Sequence, residues 1–375
     1  MDEIPSSDKV KPREYKQLLA RKIEMKNEPF KFGISLKTIS FLPQLIGMTI
    51  GSWISPSVGM IIYMGRIFNA LAYILGLYFL IRYFKYGKTA LMFISLLPIM
   101  VQQASSLSYD VMNYLEVMLA FGFITNIAYS KRFTNRNFVQ VIGLAILLLA
   151  TKPNNILLLG LIPFVSFEFR GVLKVLNRPF KSLKIIVSRY KFVFYLLLLI
   201  TIGFILQFLM RNEGGLVHYI HVLLNTLVNA RQNGDLNSIL TIGVFGYLGN
   251  FTLQLPLWLI FIDIAVLVLI FLANEKDFFS KDFSIFAAWL FPIQVLATVT
   301  VMYLQWTPIV LGHGASVSVG SQGRYFTPFL ILFLPLVANL GNFEISQNKV
   351  LKISTITLLV NFLISIFLII PFYWM

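Results

Sequence analysis

The sequence contains no cysteine, which excludes disulfides, thiolate metal sites and cysteine nucleophiles. Its three histidines are too few for a convincing His-based metal set. Charge is scarce as well, at 13% of 375 residues, where a soluble domain carries roughly 25%. Acidic residues are the rarer sign: 16 Asp and Glu stand against 31 Lys and Arg, a net charge of +15. Apolar residues fill the space, at 57% of the chain with a mean hydropathy of +0.78. No soluble fold of this size could hide that much apolar surface from water. A soluble enzyme, a disordered chain and a disulfide-built secreted domain are therefore excluded. Lipid is the expected solvent for most of the chain.

Apolar runs long enough to cross or nearly cross a bilayer lie at 57–81, 89–105, 110–129, 138–151, 154–169, 192–211, 253–272, 284–304, 325–341 and 350–371, with a weaker run at 39–54. The expected fold is all-α: a polytopic transmembrane bundle of about 10–11 helices over residues 39–375. Residues 1–38 form a polar arm with no apolar core of a cleavable signal peptide. Tyr15, Leu18, Leu19 and Ile23 recur at helical spacing, so 14–26 is either a surface-lying helix or a solvated arm. No internal repeat or low-complexity tract is present.

The cations test this count of crossings. Arg82, Lys85 and Lys88 share a parity with Lys131, Arg132 and Arg136, with the seven between Arg170 and Lys191, and with Lys276, Lys281, Lys349 and Lys352. The opposite loops hold only Lys152, Arg211, Arg231 and Arg324. The positive-inside rule places the first set in the cytoplasm, which accounts for the basic balance without nucleic acid. It also requires residues 138–169 to cross twice, turning outside at Lys152-Pro153-Asn154-Asn155, because proline ends the preceding helix. If 39–54 crosses, the arm is cytoplasmic; if it only dips into the outer leaflet, the arm is outside.

Polar and aromatic residues gather in the outer loops: SSLSYDVMN at 105–113, TKPNN at 151–155, a stretch with Arg211, Glu213, His218, His221, Arg231 and Asp235, and a last loop with Trp306, His313 and SQGRYF at 321–326. Arg66, Glu116 and Asp263 lie inside apolar runs, where charges are costly and usually face a bundle interior. Counting residues from the outer ends of their helices puts Arg66 and Glu116 at roughly 13 and 9 Å, so they are expected to pair. YGKT at 86–89 lacks the upstream glycine of a phosphate loop, since Arg82 stands there. His218 and His221 have a spacing that can ligate metal, and Asn250-Phe251-Thr252 matches a glycosylation sequon. No Ser/His/Asp nucleophile constellation is visible.

Five stretches carry a resemblance: Arg66…Asn69, LLPIMVQQASSLSYDVMN (96–113), TKP (151–153), GVFGYLGNFTLQLP (243–256) and SQGRYFTP (321–328). From about residue 39 to the C-terminus, their order and spacing resemble the bacterial membrane family of unknown function numbered 2142. That family is similar to membrane glycosyltransferases of the C-type fold. The resemblance implies an enzyme using a polyprenyl-phosphate-linked sugar outside the cytoplasm, in cell-surface polysaccharide or glycoconjugate assembly. It implies a multi-pass cell-membrane protein with an extracytoplasmic functional face, surrounded by the lipid bilayer and by cell-envelope assembly proteins. The family also carries an additional first helix and an outer loop with an acidic "PDE..H" motif. Here only Asp2-Glu3 is nearby, with no histidine at the right spacing, so this chain is expected to lack both.

Such a transfer needs a cation on the lipid phosphate, a carboxylate for the acceptor proton and aromatic faces for the sugar. Lys152 and Arg324 are the best phosphate binders, with Arg211 third and Gln322 beside Arg324. Asp110 is the remaining carboxylate; as a helix N-cap it would need no substrate. Tyr109, Tyr325 and Trp306 are stacking candidates or interfacial anchors. No cofactor is evident, and a divalent metal has no convincing ligand set. Two other readings remain open: a lipid-linked sugar transporter or flippase using Arg66, Glu116 and Asp263, and a non-catalytic subunit of a polysaccharide assembly complex.

Overall fold

In lipid every backbone polar group must find its partner within the chain, so apolar runs become helices and proline decides where they break. The computed structural model describes residues 12–23, 36–228, 240, 242–249, 253–276, 278–340 and 345–374. Four helices are long and apolar enough to span a bilayer: α3 (Val58–Tyr83), α6 (Asp110–Ser130), α13 (Lys281–Gln305) and α16 (Gln347–Trp374). The other runs are shorter or broken. Run 89–105 splits at Pro98 into α4 (Lys88–Ser95) and α5 (Pro98–Ala104). Run 325–341 forms 3-10 turns at Gly323–Tyr325 and Thr327–Phe333 before α15 (Leu334–Leu340).

Around a buried apolar core, burial along the outer helices is inverted relative to a soluble protein. Along α16, Ser354, Thr357, Asn361 and Ser365 are buried, while Leu359, Leu363 and Phe367 are exposed. The helix α9 (Lys191–Leu209) exposes Phe192, Leu199, Phe204 and Phe208. Apolar surface turned outward and polar groups turned inward fit a chain solvated by lipid. Asp263, on α12 (Leu257–Leu272), is fully buried and accepts a hydrogen bond from Asn361 Nδ2 at 2.6 Å, a partner the sequence could not name.

The double crossing at 138–169 has an unusual second leg. The helix α7 (Asn135–Thr151) has 17 residues, and the return leg is a 12-residue 3-10 helix, Pro153–Phe164. At about 1.5 Å per residue the first rises roughly 25 Å, and at about 2.0 Å the second rises roughly 24 Å. The tighter helix lets a shorter segment match its partner. The legs therefore end level, and Arg132–Phe133 pairs with Glu168–Phe169 in a two-stranded parallel ladder. The run expected to be helical to 169 becomes extended before its end.

That ladder marks one end of the bundle. Tyr86 stacks on Phe278 there at 4.4 Å, Tyr129 lies 6.3 Å from the same ring, and Asn339 donates to the Phe279 carbonyl. Loops carrying Lys85, Lys131, Arg170 and Lys281 thus share this cation-rich end, as the parity of the cations expected. The segments 105–110, 152–155 and 323–327 meet at the other.

The run 39–54 forms α2 (Leu42–Ile54), which folds back along the first half of α3. A Cβ on Gly51 would meet the Met60 carbonyl, and one on Gly47 the Met64 carbonyl, so the helices touch backbone to backbone. Residue 42 lies level with the middle of α3, so this run does not reach the cation-rich end. The arm returns with it: α1 (Pro12–Ala20) lies against α3, Ile23 N–H donates to the Pro56 carbonyl, and Val58 N–H to that of Arg21. The expected helix at 14–26 is shorter than the sequence pattern, and residues 24–26 lie outside the described residues.

Candidate functional site

Pro153 forces the residue before it out of helical geometry, and Lys152 is extended at φ −135°, ψ 108°. This ends α7 and turns the lysine toward the start of α6. There Asp110 is the first helical residue rather than the cap; Tyr109 holds the cap position and makes no side-chain cap bond. The Asp110 carboxylate, 1% exposed, faces Lys152 Nζ at 3.6 Å and Arg324 Nε at 3.2 Å. Ser108 Oγ donates to it at 2.9 Å and accepts from the Asp110 N–H at 3.1 Å. Three segments distant in sequence meet at one carboxylate.

The aromatic residues complete the group. Lys152 Nζ sits 3.5 Å from the Tyr325 ring centroid and 5.3 Å from that of Tyr109, in cation–π geometry. Arg324 lies 5.7 Å from the Tyr325 ring. Two cations and one carboxylate leave a net +1 in a largely buried setting. Burial is the main force on the Lys152 amine and pushes it down to about 8, with Asp110 opposing and Arg324 adding to the fall.

Close approach here is not the same as hydrogen bonding. Asp110 Oδ1, Lys152 Nζ and Arg324 Nε are buried without an aligned hydrogen-bond partner, as are Ser321 Oγ, Gln322 Oε1 and Tyr114 OH. Buried polar atoms are normally satisfied, so an orphaned cluster around two cations has the donors to take up oxygen atoms.

Supporting contacts fix both flanks. Arg66 Nε donates to the Ser105 carbonyl at 2.7 Å, and Asn69 Nδ2 to the carbonyls of Ser106 and Ser108 at 2.8 and 3.1 Å. These two α3 residues hold the turn that presents Ser108 and Asp110. Asn155 donates to Asn113 at 2.7 Å, tying the TKPNN turn to α6. The loop leading to Arg324 is pinned further out. Glu213 accepts from Gly314 N–H at 2.9 Å and pairs with His313 Nδ1 at 2.5 Å; His218 and Tyr303 contact the Ala315 carbonyl, and Ser318 N–H donates to Thr226. Burial pulls the Glu213 carboxyl upward, but the Gly314 and His313 contacts outweigh it and hold it below its ordinary value.

The site is recessed. Asn154, beside it, donates to Gln294 and Thr298 on α13, which runs on seven residues to Gln305, about 10 Å further. On the other side α3 starts at Val58, eight residues or about 12 Å beyond Arg66.

That offset corrects one expectation. Arg66 and Glu116 do not pair, because α3 begins well beyond α6 and depths counted from their two starts have different zeros. Arg66 is exposed and spent on the Ser105 carbonyl, while Glu116 is buried deeper and accepts from Thr151 Oγ1. Two further candidates stay apart from the group: no contact among the described residues joins Arg211 or Trp306 to it. Arg211 is exposed over the Phe208 ring at 4.7 Å, and half-exposed Trp306 packs on Gly320. Arg231, Asp235 and the sequon at 250–252 lie outside the described residues. Sequence reasoning quoted the stretches holding Ser108, Asn69 and Ser321 but gave these residues no role in the site; the hydroxyl two residues before Asp110, a spacing that lets it reach both the carboxylate and its N–H, is the signal that could have found Ser108.

The inverted burial and the clustered charges at one end define a polytopic helical membrane protein with a buried polar site. The family described as Predicted membrane protein (DUF2142) matches residues 6–333, and the chain belongs to it. The match takes in most of the polar arm and stops before α16, whereas the motifs alone ran from about residue 39 to the C-terminus. No curated protein and no solved structure matches the chain.

Proposed function

We propose that the protein is a membrane glycosyltransferase of C-type character. Its donor is a polyprenyl-phosphate-linked sugar bound at the extracytoplasmic face. The observation carrying this reading is the buried triad of Asp110, Lys152 and Arg324, with more positive than negative charge and with donors that lack aligned partners. A lipid phosphate would take the two cations through its oxygens. It would compete with Asp110 for them, and so release the carboxylate to accept a proton from an acceptor hydroxyl. Tyr109 and Tyr325 supply ring faces beside the phosphate for the sugar. The cation-poor loops at this end support an extracytoplasmic position for it, by the positive-inside rule.

The test is Arg324→Ala. Loss of surface glycan addition and of polyprenyl-phosphate binding, at normal membrane abundance, supports the reading; unchanged glycan and binding refute it. One observation favours a second reading, a non-catalytic subunit of an assembly complex: Asp110 is already engaged by two cations and a hydroxyl. Asp110→Asn separates the two. The enzyme loses transfer while still binding lipid phosphate, whereas the subunit keeps its contribution to glycan assembly.

A further inference from the structure

The segment 170–191 contains seven cations and no acidic residue, at the cation-rich end and therefore far from the site above. It comprises a 3-10 turn, Gly171–Leu176, and the helix α8 (Asn177–Arg189), which leads into the apolar α9. Thirteen residues with four cations cannot cross a hydrocarbon core, so α8 stays outside it. By helical periodicity Leu183 and Ile186 share one arc, while Arg178, Lys181 and Arg189 share another. Both arcs are exposed. Leu183 and Ile186 are 56% and 54% exposed, and Val172 and Val175 in the preceding turn are 78% and 76%.

One edge of the helix is anchored. Phe180 packs on Phe167 and Phe169 at 5.6 and 5.3 Å, and Lys184 Nζ donates to the Val165 carbonyl at 3.2 Å. These contacts hold α8 against the end of the double crossing, beside the ladder that closes it. The apolar arc and the three exposed cations stay outside that contact.

We propose that α8 and the turn before it form a recognition strap for anionic phospholipid headgroups in the leaflet at this end. Leu183, Ile186, Val172 and Val175 enter the acyl boundary, and Arg178, Lys181 and Arg189 meet headgroup phosphates. Charge complementarity selects the partner: a strap with five positive charges, Lys174, Arg178, Lys181, Lys184 and Arg189, and no negative one favours an anionic surface over a zwitterionic one. The inference does not depend on what the recessed site binds.

The absence of native cysteine gives a clean test. Leu183→Cys in the full chain carries an environment-sensitive fluorophore in nanodiscs of phosphatidylcholine alone or mixed with phosphatidylglycerol. The label should shift to blue emission in the mixed discs, and phosphatidylglycerol should be enriched among co-purified lipids. Neutralising Arg178, Lys181 and Arg189 together to Gln should lower that enrichment by roughly fivefold per cation, on the order of a hundredfold in all. Raised salt should weaken it in the same direction. Equal emission in both discs, or enrichment unchanged in the triple variant, would overturn the proposal. A label left in water in both discs would overturn it too, and assign the face to a protein partner.

Discussion

Removing each member of the triad in turn tests whether it is a charge-counted site. Wild type holds two cations and one carboxylate. Asp110→Asn leaves two buried cations facing one another without a counterion. Breaking a buried pair in this way costs about 3–5 kcal/mol. The Lys152 and Arg324 side chains keep 12% and 21% of their exposure, so the lower figure, about 3 kcal/mol, is expected. Lys152→Met does the opposite: it leaves a balanced Asp110–Arg324 pair and removes an amine disfavoured by burial, so the change should stay within about 1 kcal/mol. The assay is denaturant unfolding of the purified protein in detergent micelles, with and without a polyprenyl-phosphate lipid. Asp110→Asn should show the larger loss. The anionic lipid should restore more stability to it than to wild type, because the phosphate supplies the missing negative charge. If Lys152→Met proves the more damaging change, or the lipid gives Asp110→Asn no added stability, the charge-counting argument fails.

Two pH responses follow from the same geometry. The Lys152 amine, pushed down to about 8, should lose its proton and its hold on an anionic lipid as pH rises past that value. Lys152→Arg should flatten the binding profile measured from pH 7 to 10, because a guanidinium stays charged there. Glu213 contributes in the other direction. Its carboxyl is held below the ordinary value, so the stability it adds is present above about pH 4.3 and is lost as pH falls through the lowered value. An acid-sensitive rise in hydrogen exchange at 312–320 should be present in wild type and flattened in Glu213→Gln.

The fold was legible where composition alone decides the solvent. A chain 57% hydrophobic with charges gathered in alternate loops has to be a helical membrane bundle, because only helices or closed barrels satisfy the backbone in lipid. The turn at Lys152-Pro153 was legible for the same local reason: proline fixes its own φ and the conformation of its neighbour. Asp110, Lys152, Arg324, Tyr109 and Tyr325 could be named because charges and aromatics at the ends of apolar runs are few. The 3-10 return leg was not legible, since hydropathy marks an apolar run without distinguishing a 3-10 from an α-helical pitch.

What the sequence by itself determined is thus the set of local rules: which runs enter lipid, where proline stops them, and at which end the cations collect. Tertiary packing alone decided the depths and the pairings. It carried the start of α3 about 12 Å beyond Arg66, well past the start of α6, and so gave Arg66 to a carbonyl and Glu116 to a threonine. It also brought residues 110, 152 and 324 to a single carboxylate. The physical reason is that helix period and hydropathy fix a segment's own geometry, whereas the axial offset between two helices depends on how their side chains interlock, through contacts such as those of Gly47 and Gly51 on α3, which no single segment contains.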